Sequence, residues 1–118
     1  MLLSPIKISP FARRSSGGGV APVNTVAPVV SGTLEVGQTL TCSTGTWTGT
    51  EPITYSYQWK RGVTNIGTNS NTYVSVYDDR GEDITCEVTA TNDYGSDVVI
   101  SNIVNVTIES CYYDLSTN

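Results

Sequence analysis

The chain has 118 residues, 14% of them charged, and a formal net charge of −5. Soluble domains average about 25% charged residues, and because Ser, Thr, Asn and Gly fill the deficit here, the composition favours strands and turns over long helices. No apolar stretch reaches the roughly 18 residues that a membrane-spanning helix needs, and Pro5, Lys7 and Pro10 break the apolar run that a secretion signal requires. We therefore expect one all-β domain that folds in the cytoplasm and has no membrane partner.

The first predicted unit is residues 1–25, an extended N-terminal arm with a glycine-rich hinge at SSGGG (15–19). It lacks helical or strand periodicity and carries a charge of +3, which leaves −8 on residues 26–118. Its apolar and arginine side chains predict docking onto a partner, with a frayed terminus as the alternative. The predicted docking residues are Leu2, Leu3, Ile6, Ile8, Phe11, Arg13 and Arg14. The acidic remainder lacks the clustered Lys and Arg that bind phosphates, so we expect no nucleic-acid partner.

The second predicted unit, residues 26–109, alternates short strand candidates with turn signals, and residues 110–118 form a C-terminal tail. The candidates are VAPVV (26–30), QTLTCS (38–43), ITYSYQWK (53–60), a short strand at most within GVTNIGTNSN (62–71), TYVSVY (72–77), ITCEVTAT (84–91) and VVISNIVNVTI (98–108). Pro28 places the first at a sheet edge, TGTWTGTEP (44–52) is expected to be a loop, and the last strand is expected to bend near residues 101–102. About seven strands, each with one apolar face, predict a two-sheet sandwich.

An aromatic strand supplies the centre of the predicted core. Tyr55, Tyr57 and Trp59 alternate with polar residues and fall on one face of an extended chain. Cys42, Trp59 and Cys86 follow one another on three different strands, at spacings of 17 and 27 residues. In immunoglobulin-type sandwiches a tryptophan packs in this way over two cysteines from facing sheets. The predicted core residues are Cys42, Trp59, Cys86, Tyr57, Leu40, Ile84 and Val88.

A longer pattern carries a more specific resemblance. Its pieces are Gly32, Val36–Gly37–Gln38, Leu40, Cys42, Gly45–Thr46–Trp47, Tyr57–Gln58–Trp59, Ile66–Gly67, Tyr73, Asp79, Gly81, Ile84–Thr85–Cys86, Val88, Ala90, Asn92 and Gly95–Ser96. Over residues 28–97 the chain resembles the Ig-like domains appended to structural proteins of tailed bacteriophages and to some bacterial surface proteins. One position departs from antibody-type domains, because Ile84 stands where a tyrosine precedes the second cysteine by two residues.

The resemblance implies a non-enzymatic virion protein, made in the host cytoplasm and displayed on the particle surface. The expected form is an accessory or decoration protein that the arm holds on the major capsid protein. Many copies would stabilise the shell or adhere weakly to host glycans. A tail, neck or baseplate protein is one alternative. A carbohydrate-binding or adhesion module is another, in which Trp47, Asn92 and Tyr94 contact the ligand, although Trp47 also fits as a cover for the end of the core.

The remaining chemistry-bearing residues give weak signals. The chain has no histidine, which excludes histidine-based triads and most zinc sites, and no catalytic residue, cofactor or metal is predicted. Asp78, Asp79, Glu82 and Asp83 group hard oxygen ligands, but a solvated corner that includes Arg80 is the stronger interpretation over calcium binding. The Cys42 and Cys86 thiols are expected to be adjacent, reduced in the cytoplasm and able to oxidise after release. Cys111 is expected to be an inert tail cysteine, with intermolecular pairing as the alternative.

Overall fold

The computed structural model of the protein describes residues 18–108. The all-β prediction is confirmed, since the described chain consists of strands joined by turns, with a single 3-10 turn at Tyr77–Asp79. No helix in this part of the chain is long and apolar enough to cross a membrane. The following residues, on which predictions were placed, lie outside the described range: Leu2, Leu3, Ile6, Ile8, Phe11, Arg13, Arg14 and Cys111.

Ten strands are formed between residues 18 and 108 where about seven were expected. They are β1 Val23–Val26, β2 Val30–Gly32, β3 Thr39–Cys42, β4 Thr46–Thr48, β5 Thr54–Arg61, β6 Thr64–Ile66, β7 Thr72–Val74, β8 Asp83–Asn92, β9 Gly95–Ile100 and β10 Val104–Asn105. The excess comes from β4, which was not expected, and from two predicted strands that each divide in two, VAPVV (26–30) between β1 and β2 and VVISNIVNVTI (98–108) into β9 and β10.

The strands form two main sheets and a ribbon. The larger sheet has the order β10-β8-β5-β6, and β9 pairs with the same edge of β8 as β10 does. The smaller sheet has the order β2-β3-β7, and β1 pairs with β4 in a separate two-stranded ribbon. All pairings between the named strands are antiparallel, whereas two isolated bridges, Glu35↔Thr107 and Arg80↔Val106, are parallel. The longest pairing joins β5 to β8 from Thr54↔Thr91 to Arg61↔Ile84. This register defines the two ends of the sandwich, because the β8–β9 turn lies at the first pair and the β5–β6 turn at the second.

The core lies between the inner faces of the two sheets. Strand β8 buries every second residue, and Ile84, Cys86, Val88 and Ala90 are all fully inaccessible to solvent. Leu40 and Cys42 contribute the opposing side chains from β3. Burying one Val, Leu or Ile side chain completely contributes about 1.5–3 kcal/mol. The period of two therefore fixes which face of β8 packs inward.

Two strand expectations near the start of the body are wrong. VAPVV (26–30) was expected to be one edge strand, but β1 ends at Val26, β2 begins at Val30, and the buried Pro28 lies between them. Proline has no N–H to donate to a ladder, so the chain leaves one pairing before it enters the next. The predicted loop at 44–52 contains β4, which pairs with β1. The first sheet contact therefore begins at Val23, three residues before the expected domain boundary.

The last predicted strand is interrupted where the sequence predicted a bend. β9 ends at Ile100. At the next residue a side chain replaces a backbone acceptor, because Ser101 Oγ accepts a hydrogen bond from the Cys86 N–H at 2.9 Å. Asn102 then bonds across to the other sheet, where its Oδ1 accepts from the Val30 N–H at 2.7 Å. These side-chain bonds account for the break between β9 and β10.

Candidate functional site

Trp59 lies fully buried at the centre of the core. Its ring stacks on Tyr73, with centroids 5.5 Å apart and planes inclined by 26°. Its Nε1 donates to the Ser70 carbonyl oxygen at 2.8 Å, so the one polar group of the ring is satisfied, as a buried indole requires. Trp59 thus has a structural position with no surface open to a ligand.

The aromatic row on β5 becomes more exposed towards the β8–β9 turn. Tyr57 is half-buried and packs against the core, whereas Tyr55 is 38% exposed and lies 6.4 Å from the ring of Trp47. Trp47 itself is half-buried against the core, and its Nε1 donates to the Thr44 carbonyl oxygen at 2.7 Å. This placement fits the expectation that Trp47 covers the end of the core.

The Cys42 and Cys86 side chains are both buried and both free thiols. Cys42 Sγ donates to the Ser43 carbonyl oxygen at 3.2 Å and Cys86 Sγ to the Glu87 carbonyl oxygen at 3.9 Å. The neighbouring Cys42 thiol, together with burial, raises the pKa of Cys86 far above that of an exposed thiol. Because the thiolate is the nucleophilic form, this pair acts as apolar packing beside Trp59 while it is reduced.

The acidic corner is organised around one fully buried carboxylate, Asp79. Arg61 Nε donates to its Oδ1 at 2.8 Å, while Tyr73 Oη and the Val76 N–H donate to its Oδ2 at 2.6 and 2.8 Å. Burial alone would raise the pKa of Asp79, but the hydrogen bonds from Tyr73, Val76 and Arg61 outweigh it and lower the pKa. Burial and the bond to Asp79 raise the pKa of Tyr73 to about 12.

The calcium alternative placed on this corner finds no support in these contacts. Both oxygens of Asp79 are already occupied by protein donors, and Oδ1 of the exposed Asp83 accepts from Asn105 Nδ2 at 2.8 Å. The remaining acids, Asp78 and Glu82, are exposed. Across residues 18–108 no three potential metal ligands come together. The corner is a structural lock between strands.

The opposite end of the sandwich holds the chain that enters from the arm. Asn92 Nδ2 donates to the carbonyl oxygens of Val20 and Thr50, at 2.7 and 2.8 Å. Thr50 and Val20 also pair with each other, since the Val20 N–H donates to Thr50 Oγ1 at 2.9 Å and the Thr50 N–H donates to the Val20 oxygen at 3.0 Å. We call this arrangement the clasp and define it as residues 19–22, Thr50 and residues 92–95. It fixes the chain entering from the arm against both Thr50 and the β8–β9 turn.

The ring of Tyr94 closes the clasp over Gly19. A Cβ atom on Gly19 would lie only 1.9 Å from the Cζ of Tyr94, so the ring rests directly on the glycine backbone. The Tyr94 N–H donates to Asn92 Oδ1 at 2.8 Å, which fixes the turn that carries the ring. The predicted hinge at 15–19 therefore ends in a packed contact at Gly19.

The three candidate ligand residues, Trp47, Asn92 and Tyr94, all lie at the clasp end of the sandwich. The polar atoms of Asn92 and the indole N–H of Trp47 are used within the fold. Tyr94 is 50% exposed and is the most accessible of the three. No cavity was found among the residues that the structure describes. Thr50, Val20 and Gly19 were missed by the sequence analysis, because their roles depend on contacts between distant segments.

Basic side chains are distributed unequally between the two ends. Within residues 18–108 every basic side chain lies towards the β5–β6 turn and is engaged: Lys60 with Glu87 at 3.4 Å, Arg61 with Asp79, and Arg80 over the ring of Tyr77 at 4.2 Å. The clasp end carries the exposed acids Glu51, Asp93 and Asp97 and, within the described range, no base. The end from which the basic arm departs is thus itself acidic.

No protein-family model matches the chain, and no curated protein and no solved structure matches it significantly.

Proposed function

We propose that this chain is a non-enzymatic structural protein of a bacteriophage virion. In this proposal it is an accessory or decoration protein: the N-terminal arm binds the major capsid protein, and the sandwich is displayed on the particle surface. The observation that best supports this proposal is the clasp. It fixes the chain on the sandwich at Gly19 and Val20, just after the basic segment of the arm. The proposal that the particle is a phage virion comes from the resemblance of residues 28–97 to phage Ig-like domains.

The clasp supports an anchoring role because it makes the junction stiff. Four hydrogen bonds among Val20, Thr50 and Asn92 hold the entering chain, and Tyr94 covers Gly19. A frayed terminus needs no such support. An arm that has to hold a domain on a particle gains from it, because a fixed junction lowers the entropy lost when the arm docks.

The composition of the arm indicates the surface that it would bind. Residues 1–17 combine apolar side chains with Lys7, Arg13 and Arg14 and contain no acid. Apolar pockets bordered by acidic residues would complement this sequence, and the charged part of the binding would weaken as salt screens it. Occupation of many equivalent sites would then stabilise the shell or give weak glycan contacts collective strength.

Deletion of residues 2–17 tests the proposal and leaves Gly18 and the clasp in place. Full-length and truncated proteins are mixed with virions of the phage that encodes the chain, and cosedimentation is measured over a range of salt concentrations. We expect the truncated protein to stay in the supernatant while its circular dichroism and unfolding midpoint match those of the full chain. A triple charge reversal, Lys7→Glu, Arg13→Glu and Arg14→Glu, should also abolish binding. Undiminished cosedimentation of the truncated protein would refute an anchoring arm.

The location on the particle separates the capsid from the tail, neck or baseplate. Gold-labelled antibody against the sandwich, imaged on intact virions, would mark the whole shell for a decoration protein and one vertex or the tail for an accessory of those parts. Tyr94, half-exposed, and Tyr55, partly exposed, keep the adhesion module as a second candidate. Glycan binding by the truncated protein, abolished by Tyr94→Ala, would support that function instead.

A further inference from the structure

We infer that the clasp end of the sandwich faces the protein that binds the arm, and that the opposite end points away from it. The opposite end consists of the β5–β6 turn at Gly62–Val63 and the 3-10 turn at Tyr77–Asp79. This inference rests on the proposed function, because it assumes that the arm is the anchor. It adds an orientation and a second contact surface on the sandwich itself.

The chain from the arm enters the sandwich at the clasp. Gly19 packs under the ring of Tyr94, and Val20 is hydrogen-bonded to Thr50 and Asn92. The chain can therefore separate from this end of the sandwich only if the clasp breaks. Thr54 and Thr91 form the strand pair nearest the clasp, and Arg61 and Ile84 form the pair at the opposite end. The junction with the arm therefore lies a full strand length from the β5–β6 turn.

The arginines of the arm lie only a few residues before the clasp. Arg14 is five residues before Gly19, and five residues span at most about 18 Å when fully extended. Strand β5 has eight residues, which at about 3.3 Å each give it a length of roughly 26 Å. Once Arg13 and Arg14 are bound, the distance from the clasp to the binding surface is at most about 18 Å, which is less than the length of strand β5. The clasp end is therefore brought against the partner.

The clasp end exposes both apolar and acidic side chains. Val20 is 53% and Tyr94 50% exposed beside the junction. Glu51, Asp93 and Asp97 are exposed at the same end, where the described residues include no base. A protein surface that fits both parts has acidic residues around the apolar sites for the arm. It has basic residues opposite the clasp, together with an apolar contact for Tyr94. The partner footprint thus has two signs of charge, the reverse of the signs on this chain.

The orientation has a consequence for ligand binding. Trp47, Asn92 and Tyr94 lie at the clasp end and would face the partner rather than the surroundings. Contacts with a host or with glycans would then come from the opposite end, where Val63 is 94% exposed and Arg80 lies over Tyr77.

Cysteine labelling on assembled particles tests the orientation. In a Cys111→Ser background the native Cys42 and Cys86 are buried, so a single exposed cysteine can be added at the clasp end, Asp93→Cys, or at the opposite end, Val63→Cys. Maleimide labelling is measured on the free protein and on virions of the encoding phage that carry the bound variant. We expect the labelling of Asp93→Cys to be lost on the particle, while Val63→Cys keeps the rate of the free protein. Protection of Val63→Cys, or equal reactivity of both sites, overturns the orientation.

Charge reversal provides a matched second readout. Asp93→Lys at the clasp end should weaken particle binding by about two- to fivefold, the range expected for an exposed charge pair, whereas Glu82→Lys at the opposite end should leave it unchanged. Equal effects of both substitutions would contradict the inferred contact. Cosedimentation of the chain lacking residues 2–17 separates the two proposals. If that chain still binds, the proposed anchoring function fails; if binding needs the arm but Val63→Cys is the protected site, only the orientation fails.

Discussion

Tyr73 Oη donates a hydrogen bond to Asp79 Oδ2 at 2.6 Å and thereby ties β7 of the smaller sheet to the turn that precedes β8 of the larger one. Arg61, at the end of β5, completes the lock through Oδ1 of the same carboxylate. Antibody-type domains brace this corner with a tyrosine two residues before the second cysteine. Here that position is the buried, apolar Ile84, and the phenol comes from a different strand.

Removal of the Asp79 carboxylate should destabilise the protein. Asp79→Ala leaves Tyr73 Oη, the Val76 N–H and the Arg61 guanidinium without their shared acceptor. We expect a loss of about 2–4 kcal/mol in the free energy of unfolding, below the figure for a fully buried pair because Arg61 is partly exposed. Urea unfolding followed by tryptophan fluorescence measures this. The neighbouring exposed residue gives the control, since Asp78→Ala should change stability by less than about 0.5 kcal/mol; equal losses in the two variants would count against the lock.

The same corner predicts a pH dependence of stability with two limbs. The pKa of Asp79 is lowered in the folded protein, so its contribution is present above the unfolded value and is lost as the pH falls below about 4. The pKa of Tyr73 is raised to about 12, so its contribution is complete below about pH 10 and is lost as the pH rises from about 10 to 12. Urea midpoints across the pH range should show both decreases. Tyr73→Phe should flatten the alkaline limb, and Asp79→Asn the acid limb; limbs unchanged in these variants would contradict the assignment.

Local patterns carried enough information for the centre of the fold but not for its ends. The period of two in ITCEVTAT and the aromatic alternation in β5 are properties of single segments, so the buried faces of both strands followed from the sequence. The ribbon of β1 and β4 and the clasp are different, because each exists only through contacts between segments about 20 to 70 residues apart. Asp79 shows the same limit. Its place in an acidic run indicated a solvated corner. The side chains that donate hydrogen bonds to it, Tyr73 and Arg61, lie on strands β7 and β5.

The fit of Tyr94 over Gly19 should be specific to the pair. Gly19→Ala places a methyl group in the space of the ring. Because the half-exposed Tyr94 side chain can rotate away, we expect a loss of about 0.5–1 kcal/mol, below the range for overpacking a core. In a Tyr94→Ala background the ring is absent, so the same substitution should cost almost nothing, and the double-mutant cycle should show a coupling of comparable size. Chemical denaturation of the four proteins provides the values. Additive losses would mean that the ring does not rest on Gly19 in solution.

The thiol pair should oxidise once reducing agents are removed. Cys42 and Cys86 are free, buried thiols in the same core cluster, and a bridge between them would close a loop of more than 40 residues. We expect a gain of about 2–4 kcal/mol, which chain-entropy estimates allow for such a loop, reversed by dithiothreitol. Urea midpoints of Cys111→Ser protein before and after mild oxidation measure the gain. Cys42→Ala in the same background should be insensitive to the oxidant, and a midpoint that does not move in the parent protein would rule out the bridge.

The fluorescence of the two tryptophans should differ, because Trp59 is shielded from water in the core and Trp47 is partly exposed at its end. Trp59 is fully buried with its indole N–H bonded to the Ser70 oxygen, whereas Trp47 is only half-buried. In Trp47→Phe the remaining fluorescence should be blue-shifted and resist quenching by iodide; in Trp59→Phe it should be red-shifted and more readily quenched. Trp59→Phe should also lower stability by about 1–3 kcal/mol, because it removes a buried hydrogen bond and leaves unfilled volume. Ready iodide quenching of folded Trp47→Phe would place the Trp59 ring in water, and the two-sheet core that positions the clasp and the Asp79 corner would then be wrong.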